Sequence, residues 1–353
     1  MDKNDGARRK SAGDTPPTIA IIGCGAFAEW FYLPAFAKRP TALQKLILVD
    51  NNADRIQKLA SKFHVASFRT DYREVLDEVE GVIVVVPHQL HYPISMDFLR
   101  KGVHVLCEKP LAESPDEARE MVEQSKKSGV TLSANYTQRL FPANIKIKEI
   151  LMQAKFGKPL YMSYAWGDEF TWPTASGFYF NPKTRRGGVL LDRGAHALDL
   201  ICWWLGGKPE LVLSENDSFG GIEAVANITL KSGECTIVVK LSWLNVLSNS
   251  YTVRCELAEI ENDFRGWWHL PIRHKSGKVE IIPLETSERE YSDFGTKIVD
   301  NFIDVIRKGN APLIPASEIV PSIELIQECY AKAQRFDLPW YKNLEVPNVN
   351  PIR

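Results

Sequence analysis

A short, continuously apolar run, Thr18-Ile19-Ala20-Ile21-Ile22, passes without a break into Gly23-Cys24-Gly25-Ala26-Phe27-Ala28. A run apolar at nearly every position is the pattern of a parallel strand buried on both faces. Such a strand obliges the rest of the chain to supply neighbouring strands and covering helices. The turn after it reads G-x-G-x-x-A. Gly23 permits the tight turn, Gly25 lets the backbone approach a pyrophosphate, and Ala28 lets the next helix pack close to the strand. Ala26 and Phe27 open that helix, where amides without intrahelical partners suit phosphate oxygens. A tight turn needs glycine for its geometry with or without a ligand, so the pattern takes its meaning from the segments downstream. The helix should end or kink near Pro34, which removes a ladder donor.

Downstream, strands and helices alternate. Leu46-Ile47-Leu48-Val49 forms the next buried strand and ends in Asp50. A carboxylate there accepts both hydroxyls of an adenosine ribose and repels a 2′-phosphate, which favours NAD over NADP. The competing role for Asp50 is a cap on the helix that starts near Ala53. Further along come a helix from Asn52 to Phe63, a strand near Val65 to Phe68 and a helix from Asp71. Val82-Ile83-Val84-Val85-Val86, the most strand-like run in the chain, ends at Pro87-His88-Gln89-Leu90-His91. A helix through Leu99 leads to the strand Val103 to Leu106 and then to Cys107-Glu108-Lys109-Pro110. The pattern closes with a helix from Pro115 to Ser128 and a strand from Val130 to Ser133. This order predicts an α/β, doubly wound parallel sheet over 16–138 after a tail of residues 1–15. Ligands of such sheets sit beyond the carboxyl ends of the strands. Gly25, Asp50, Pro87 and Lys109 all fall at such ends.

At 353 residues the chain has length for two cores. Its 43 basic and 44 acidic residues nearly cancel, so charge gives no reason to expect nucleic acid or an anionic membrane as partner. There is no apolar stretch of about 18 residues to span a bilayer. The charged N-terminal tail lacks the apolar region of a secretory signal. Six scattered cysteines favour neither a disulfide framework nor a zinc site, and a reducing, cytoplasmic compartment is expected with no metal.

The character changes after Leu140. Residues 161–180 are rich in aromatics, and alternating segments succeed them. Cys235, Ile237, Val239, Leu241 and Trp243 share one face, with Thr236, Lys240 and Ser242 on the other, which predicts a half-buried antiparallel strand. Lys231-Ser232-Gly233-Glu234 suits a hairpin turn before it. Helices near Asp293 to Lys308 and Ala316 to Phe336 should close a second domain over 139–353. Between these parts lies Gly187-Gly188-Val189-Leu190-Leu191-Asp192-Arg193-Gly194-Ala195-His196-Ala197-Leu198-Asp199. On a helix from about Asp192 to Leu205, Asp192 and His196 share a face. A carboxylate beside an imidazole favours its protonated form and orients it for proton transfer. Asp192 as a helix cap and His196 as a core histidine are the plainer alternative.

The glycine turn, the Pro87 to His91 spacing, Glu108-Lys109-Pro110 and the Gly187-Gly188…Asp192…His196…Asp199 block resemble the glucose–fructose oxidoreductase/inositol dehydrogenase family. The similarity runs from about Thr18 to Phe336. It implies an N-terminal Rossmann domain and a C-terminal α/β domain with a large open, mainly antiparallel sheet, often used to form homodimers or homotetramers. It also implies NAD or NADP and a sugar, inositol or nucleotide-sugar substrate. By position, Lys109 becomes the active-site lysine, Asp192 its acidic companion and His196 the proton-transfer residue. Pro87, His91 and Glu108 fall near the nicotinamide.

Three residues depart from the family pattern. His88 stands where asparagine is frequent, Arg186 where a third glycine is common, and Arg193 where an aliphatic residue is usual. Arg185 and Arg186 suit a substrate carboxylate or phosphate, or a solvated loop. Trp166, Trp172 and Phe178 suit a sugar ring, or core packing. The expected activity is hydride transfer between a nicotinamide and a secondary alcohol or ketone. A glycosidase using transient oxidation and a dinucleotide-sensing regulator are the competing classes. Continuous NADH release separates the first from the second, and joint retention of Lys109, Asp192 and His196 argues against the third.

Overall fold

A computed structural model describes residues 15–173, 187–218 and 222–337, with Pro339. The N-terminal part follows the predicted alternation. Strand β1 (Ile19–Ile22) leads through a π-helical turn (Ala28–Tyr32) into α1 (Leu33–Ala37), where Pro34 occupies the first turn. After α2 (Pro40–Leu43) come β2 (Leu46–Val49), α3 (Ala53–Phe63) and β3 (Ser67–Arg69). Next are β4 (Gly81–Val84), α4 (His91–Arg100), β5 (His104–Glu108), α5 (Pro115–Ser128) and β6 (Leu132–Asn135). The strands form a parallel sheet in the order β3-β2-β1-β4-β5-β6. Their side chains are buried on both faces in β1, β2 and β4, which is why these runs read as unbroken apolar stretches.

The helix expected from Asp71 is a single turn, Tyr72–Val75. Asp71 and Glu74 cap it reciprocally, but the chain must extend again almost at once to enter β4 at Gly81. Asn52 caps α3 by accepting the Arg55 N–H at 3.0 Å, so Asp50 is not that helix's cap.

The second sheet adds α6 (Pro142–Met152), β7 (Pro159–Gly167), α7 (Val189–Leu205), β8 (Glu210–Asn216), β9 (Val225–Ser232) and β10 (Cys235–Ser242). It continues with β11 (Ser250–Cys255), β12 (Ala258–Asp263), β13 (His269–His274) and β14 (Val279–Pro283). After α8 (Phe294–Lys308) and α9 (Val320–Ala331), the short β15 (Gln334–Arg335) completes it. The order is β14-β13-β12-β11-β7-β10-β9-β8-β15. It is mainly antiparallel, although β10 pairs with β7 in parallel. Gly233, at φ +59°, makes the predicted β9–β10 turn. In β10 the alternation holds through Leu241, but Ser242 is buried because its carbonyl receives an arginine from α7.

Helix α8, expected with α9 to close the second domain, also packs against the first. A Cβ on Gly295 would meet the Phe31 carbonyl at 2.5 Å, and one on Gly81 would meet Ile306 at the same distance. The helix therefore lies against α1 and the start of β4, and Arg307 clamps Glu80 through two bonds of 2.6 and 2.8 Å. The predicted helix to Phe336 ends at Ala331, and the chain joins the sheet edge instead.

Candidate active site

The glycine turn is a cradle. Gly23 has φ +94°, and a Cβ there would strike the Val85 carbonyl at 2.3 Å, so this position excludes a side chain. Above Gly25 the space is open: a methyl group placed there would meet nothing within 4 Å. The amides of Ala26, Phe27 and Ala28 begin the helix beside it, where donors lack intrahelical acceptors. Ala28 is fully buried, and the Phe27 ring lies stacked on Phe31 with centroids 4.9 Å apart. At the end of β2, Asp50 accepts the Cys24 N–H at 2.7 Å and the Asn52 N–H at 2.9 Å. Each carboxylate oxygen keeps a further lone pair for a ribose hydroxyl. Open glycine, free amides and a terminal acid fit a dinucleotide. Arg55, which sequence reasoning passed over, bonds the Cys24 carbonyl and reaches Glu29 at 3.5 Å, so its guanidinium braces this turn.

The carboxyl end of β5 delivers Lys109 to the second sheet's helix. Its Nζ lies 2.5 Å from Asp192 Oδ1 and 3.4 Å from the Asp192 carbonyl oxygen. Both side chains keep about one-sixth of their exposure, 15% and 16%. Trp243 Nε1 donates to the other carboxylate oxygen at 3.3 Å. Burial opposes the charge on Asp192, but Lys109 outweighs it and holds the carboxyl below its ordinary range. His196 follows one turn later on α7, 6% exposed. Asp192 was expected to orient its ring, yet that carboxylate is engaged by Lys109 and Trp243. His196 Nδ1 is buried with no partner among the described residues. Burial pushes the imidazole down to about 3, Lys109 pushes the same way, and Asp192 opposes them without prevailing. The ring is therefore neutral, not poised near neutrality, because desolvation exceeds the pull of a carboxylate already paired with a lysine.

The neighbours hold these groups in place. Glu108 is buried under Lys109, accepting the Tyr32 hydroxyl at 2.7 Å and the Asn135 amide at 2.6 Å. Burial raises its carboxyl to about 7. The ring nitrogens of His91 lie 2.6 Å from the Pro110 carbonyl oxygen and 2.9 Å from that of Val86. His91 is fully buried, so it ties the Pro87 loop to the Lys109-Pro110 segment and presents no ring nitrogen to a ligand. Pro87 starts the turn after β4, and His88 beside it is buried within electrostatic reach of Lys109 and Asp192.

Trp166 on β7 does reach the site, its ring 5.9 Å from that of His196. Arg193 lies 5.3 Å over the same indole, donates to the Ser242 carbonyl at 2.6 Å and pairs with Asp168 at 3.0 Å. Its departure from an aliphatic residue is thus matched by an acceptor set. Asp199 belongs to a different unit: Arg139 clamps it with two bonds of 2.8 Å and also holds Glu318 at 2.6 Å. Arg185, Arg186 and Phe178 lie outside the described residues. Among the described residues no cluster of His, Cys, Asp and Glu suits a metal, and no helix is long and apolar enough to cross a membrane. All six cysteines are buried and unpaired.

A six-stranded parallel sheet with a glycine turn, joined to a nine-stranded mixed sheet, is the architecture of a class of two-part oxidoreductases. Residues 18–136 match the oxidoreductase family with an NAD-binding Rossmann fold, and residues 145–261 match the GFO/IDH/MocA C-terminal domain. The chain belongs to this family. It is 30% identical over 194 residues to the D-glucoside 3-dehydrogenase of Escherichia coli K12, covering 54% of this chain and 55% of that protein. The match thus spans little more than half of that relative's length. It is 25% identical over 323 residues to the trans-1,2-dihydrobenzene-1,2-diol dehydrogenase of Oryctolagus cuniculus, covering 87% and 96%. Among solved structures, an Agrobacterium radiobacter oxidoreductase crystallised with NAD+, L-tartaric acid and magnesium shares the fold. Its TM-score is 0.74 at 17% identity, over 90% of this chain and 96% of that one.

Proposed function

We propose that this chain is an NAD-dependent dehydrogenase or reductase acting on a secondary alcohol or ketone of a sugar, cyclitol or sugar derivative. One observation carries the reading: Lys109, at the carboxyl end of β5, meets Asp192 at 2.5 Å with His196 one turn along the same helix. Gly25 and Asp50 lie at the carboxyl edge of the same sheet, where a dinucleotide's pyrophosphate and adenosine ribose would be held. The bound cofactor would supply the hydride acceptor or donor. In the oxidising direction the neutral His196 imidazole takes the hydroxyl proton, and the Lys109 ammonium donates to the alkoxide as charge develops on it. Asp192 holds Lys109 in place, Trp243 holds Asp192, and Trp166 forms an apolar wall beside the imidazole. Asp50 favours NAD over NADP, and the engagement of Arg55 with Cys24 and Glu29 leaves it committed to the turn.

The carbohydrate class is supported by the glucoside named for the Escherichia coli relative. NADH release across a panel of free sugars, glycosides, inositols and sugar acids tests it. Continuous release on at least one member is expected. Substrate cleavage without net NADH release would favour the glycosidase chemistry instead. A homo-oligomer through the second sheet completes the proposal. Helices α6, α7 and α9 pack on one side of that sheet, while Thr236, Lys240 and Arg254 are exposed along its strands. Analytical ultracentrifugation should give a dimer or tetramer, and a monomer at micromolar concentration would remove that part.

A further inference from the structure

Helix α7 begins without a cap of its own. Gly188 precedes it and has no side chain, and a Cβ placed there would fall 1.9–2.1 Å from the Glu223 carboxylate. Glu223, from the segment entering β9, fills that place. Its backbone carbonyl accepts the Val189 N–H at 3.0 Å, and its Oε1 accepts the Leu190 N–H at 3.1 Å. The same oxygen accepts the Tyr330 hydroxyl of α9 at 2.8 Å. The residue is 4% exposed. Burial, with Asp217 adding to it, raises its carboxyl to about 7 against the hydrogen bonds it receives.

The other turns of α7 have different anchors. Arg193 is held by Ser242, Asp199 by Arg139, and Trp204 donates to the Asn144 carbonyl at 3.0 Å. Those contacts fix the middle and end of the helix. The first turn is where Lys109 makes contact, and there the Asp192 N–H donates to the Gly188 carbonyl at 3.1 Å. A movement of Gly188 is therefore transmitted to Asp192 through one hydrogen bond, and to His196 one turn on.

We propose that Glu223 is a positioning residue for the reaction, closing the N-terminus of α7 from outside the helix and so setting Asp192 and His196 against Lys109. A carboxylate suits the task because orphan amides and the positive end of the helix dipole face it. Gly188 has its reason in the same contact: the position is glycine because Glu223 occupies the space of a side chain. The proposal rests on the roles of Lys109, Asp192 and His196 given above, and part of its test does not.

The test compares Glu223→Ala, Glu223→Gln, Gly188→Ala and the double variant Gly188→Ala/Glu223→Ala with the intact chain. Each is assayed for kcat on the best substrate of the panel, for NAD affinity and for thermal melting. Glu223→Ala should lose about 10- to 100-fold in kcat, the effect of a small misplacement of reacting groups, with NAD affinity unchanged. Glu223→Gln keeps an acceptor for Leu190 and should recover most of the rate. Gly188→Ala should be impaired in the intact background, yet add little once Glu223 is Ala, because the obstructing carboxylate is gone. Full activity of Glu223→Ala, failure of Gln to rescue, or independent effects of the two substitutions would overturn the proposal. The melting cycle involves no turnover. Coupling there, together with a His196→Ala variant of normal rate, would defeat the catalytic reading and leave the cap standing.

Discussion

The imidazole of His196 is strongly altered by its surroundings. Burial and Lys109 lower its pKa from 6.5 to about 3, so the ring is neutral across the whole neutral range, with a lone pair open to a proton but less basic than a free imidazole. Alcohol oxidation should show no acid limb near 6.5 from this residue. A limb at 6.5 that vanishes in His196→Gln would show that His196 titrates at its ordinary value and that burial does not hold it neutral. Glu108 behaves oppositely, rising from 4.5 to about 7. A carboxyl with a raised folded value contributes stability that is complete below its unfolded value and is lost as pH climbs through the folded one. Glu108→Gln should therefore be more stable than the parent above pH 7, on the order of 1–3 kcal/mol in denaturant titration, with the gain shrinking towards pH 4. A gain independent of pH would show that Glu108 is not the titrating group. At the dinucleotide end, Asp50→Ala should narrow the preference for NAD over NADP and lower stability by about 1 kcal/mol, since Cys24 and Asn52 lose their acceptor. Equal affinity of the intact chain for both dinucleotides would remove that argument.

At the scale of elements, Arg139 and Asp199 form a buried ion pair that locks α7 to the segment after β6. Arg139→Ala would strip the buried Asp199 carboxyl of its partner, and unfolding should be easier by about 3–5 kcal/mol. A loss under about 1 kcal/mol in denaturant titration would mean that the pair contributes little. The parallel strands were legible in the sequence because strands buried on both faces must be apolar throughout, and α5 was legible from its helical pattern over Pro115 to Ser128, which a Ser114–Glu117 capping box closes in the structure. The Lys109, Asp192 and His196 grouping was legible through family resemblance, whereas periodicity alone left Asp192 as a cap. Glu223, Arg139 and Arg55 carried no such signal. Each acts on a backbone or carboxylate remote in sequence, and a single charged residue does not reveal which distant partner it meets. The single turn at Tyr72 was missed because local capping chemistry says where a helix begins, not how soon tertiary geometry ends it.

At the scale of the molecule, Lys109 and Asp192 form a largely buried charged contact between the end of β5 and helix α7. Removing the lysine alone leaves a buried carboxylate without its cation. Lys109→Ala should therefore cost roughly 3 kcal/mol or more in stability, while Lys109→Ala/Asp192→Ala should cost less than the sum of the single changes. Strict additivity would show that the pair is formed without mutual dependence. Helix α8 returns the chain to the first sheet, with Phe294 packed against Phe141 and Arg307 on Glu80, so both parts share one continuous core.

Proton transfer through His196 as hydride moves is the step on which the proposed chemistry depends, and it is probed by the turnover of His196→Ala measured beside its NAD affinity. A loss of about 10²–10⁴ in kcat is expected, the usual contribution of a positioned acid–base group, with NAD binding close to that of the intact chain. Near-normal kcat with the same substrate would contradict that role and move the proton to another group beside Lys109.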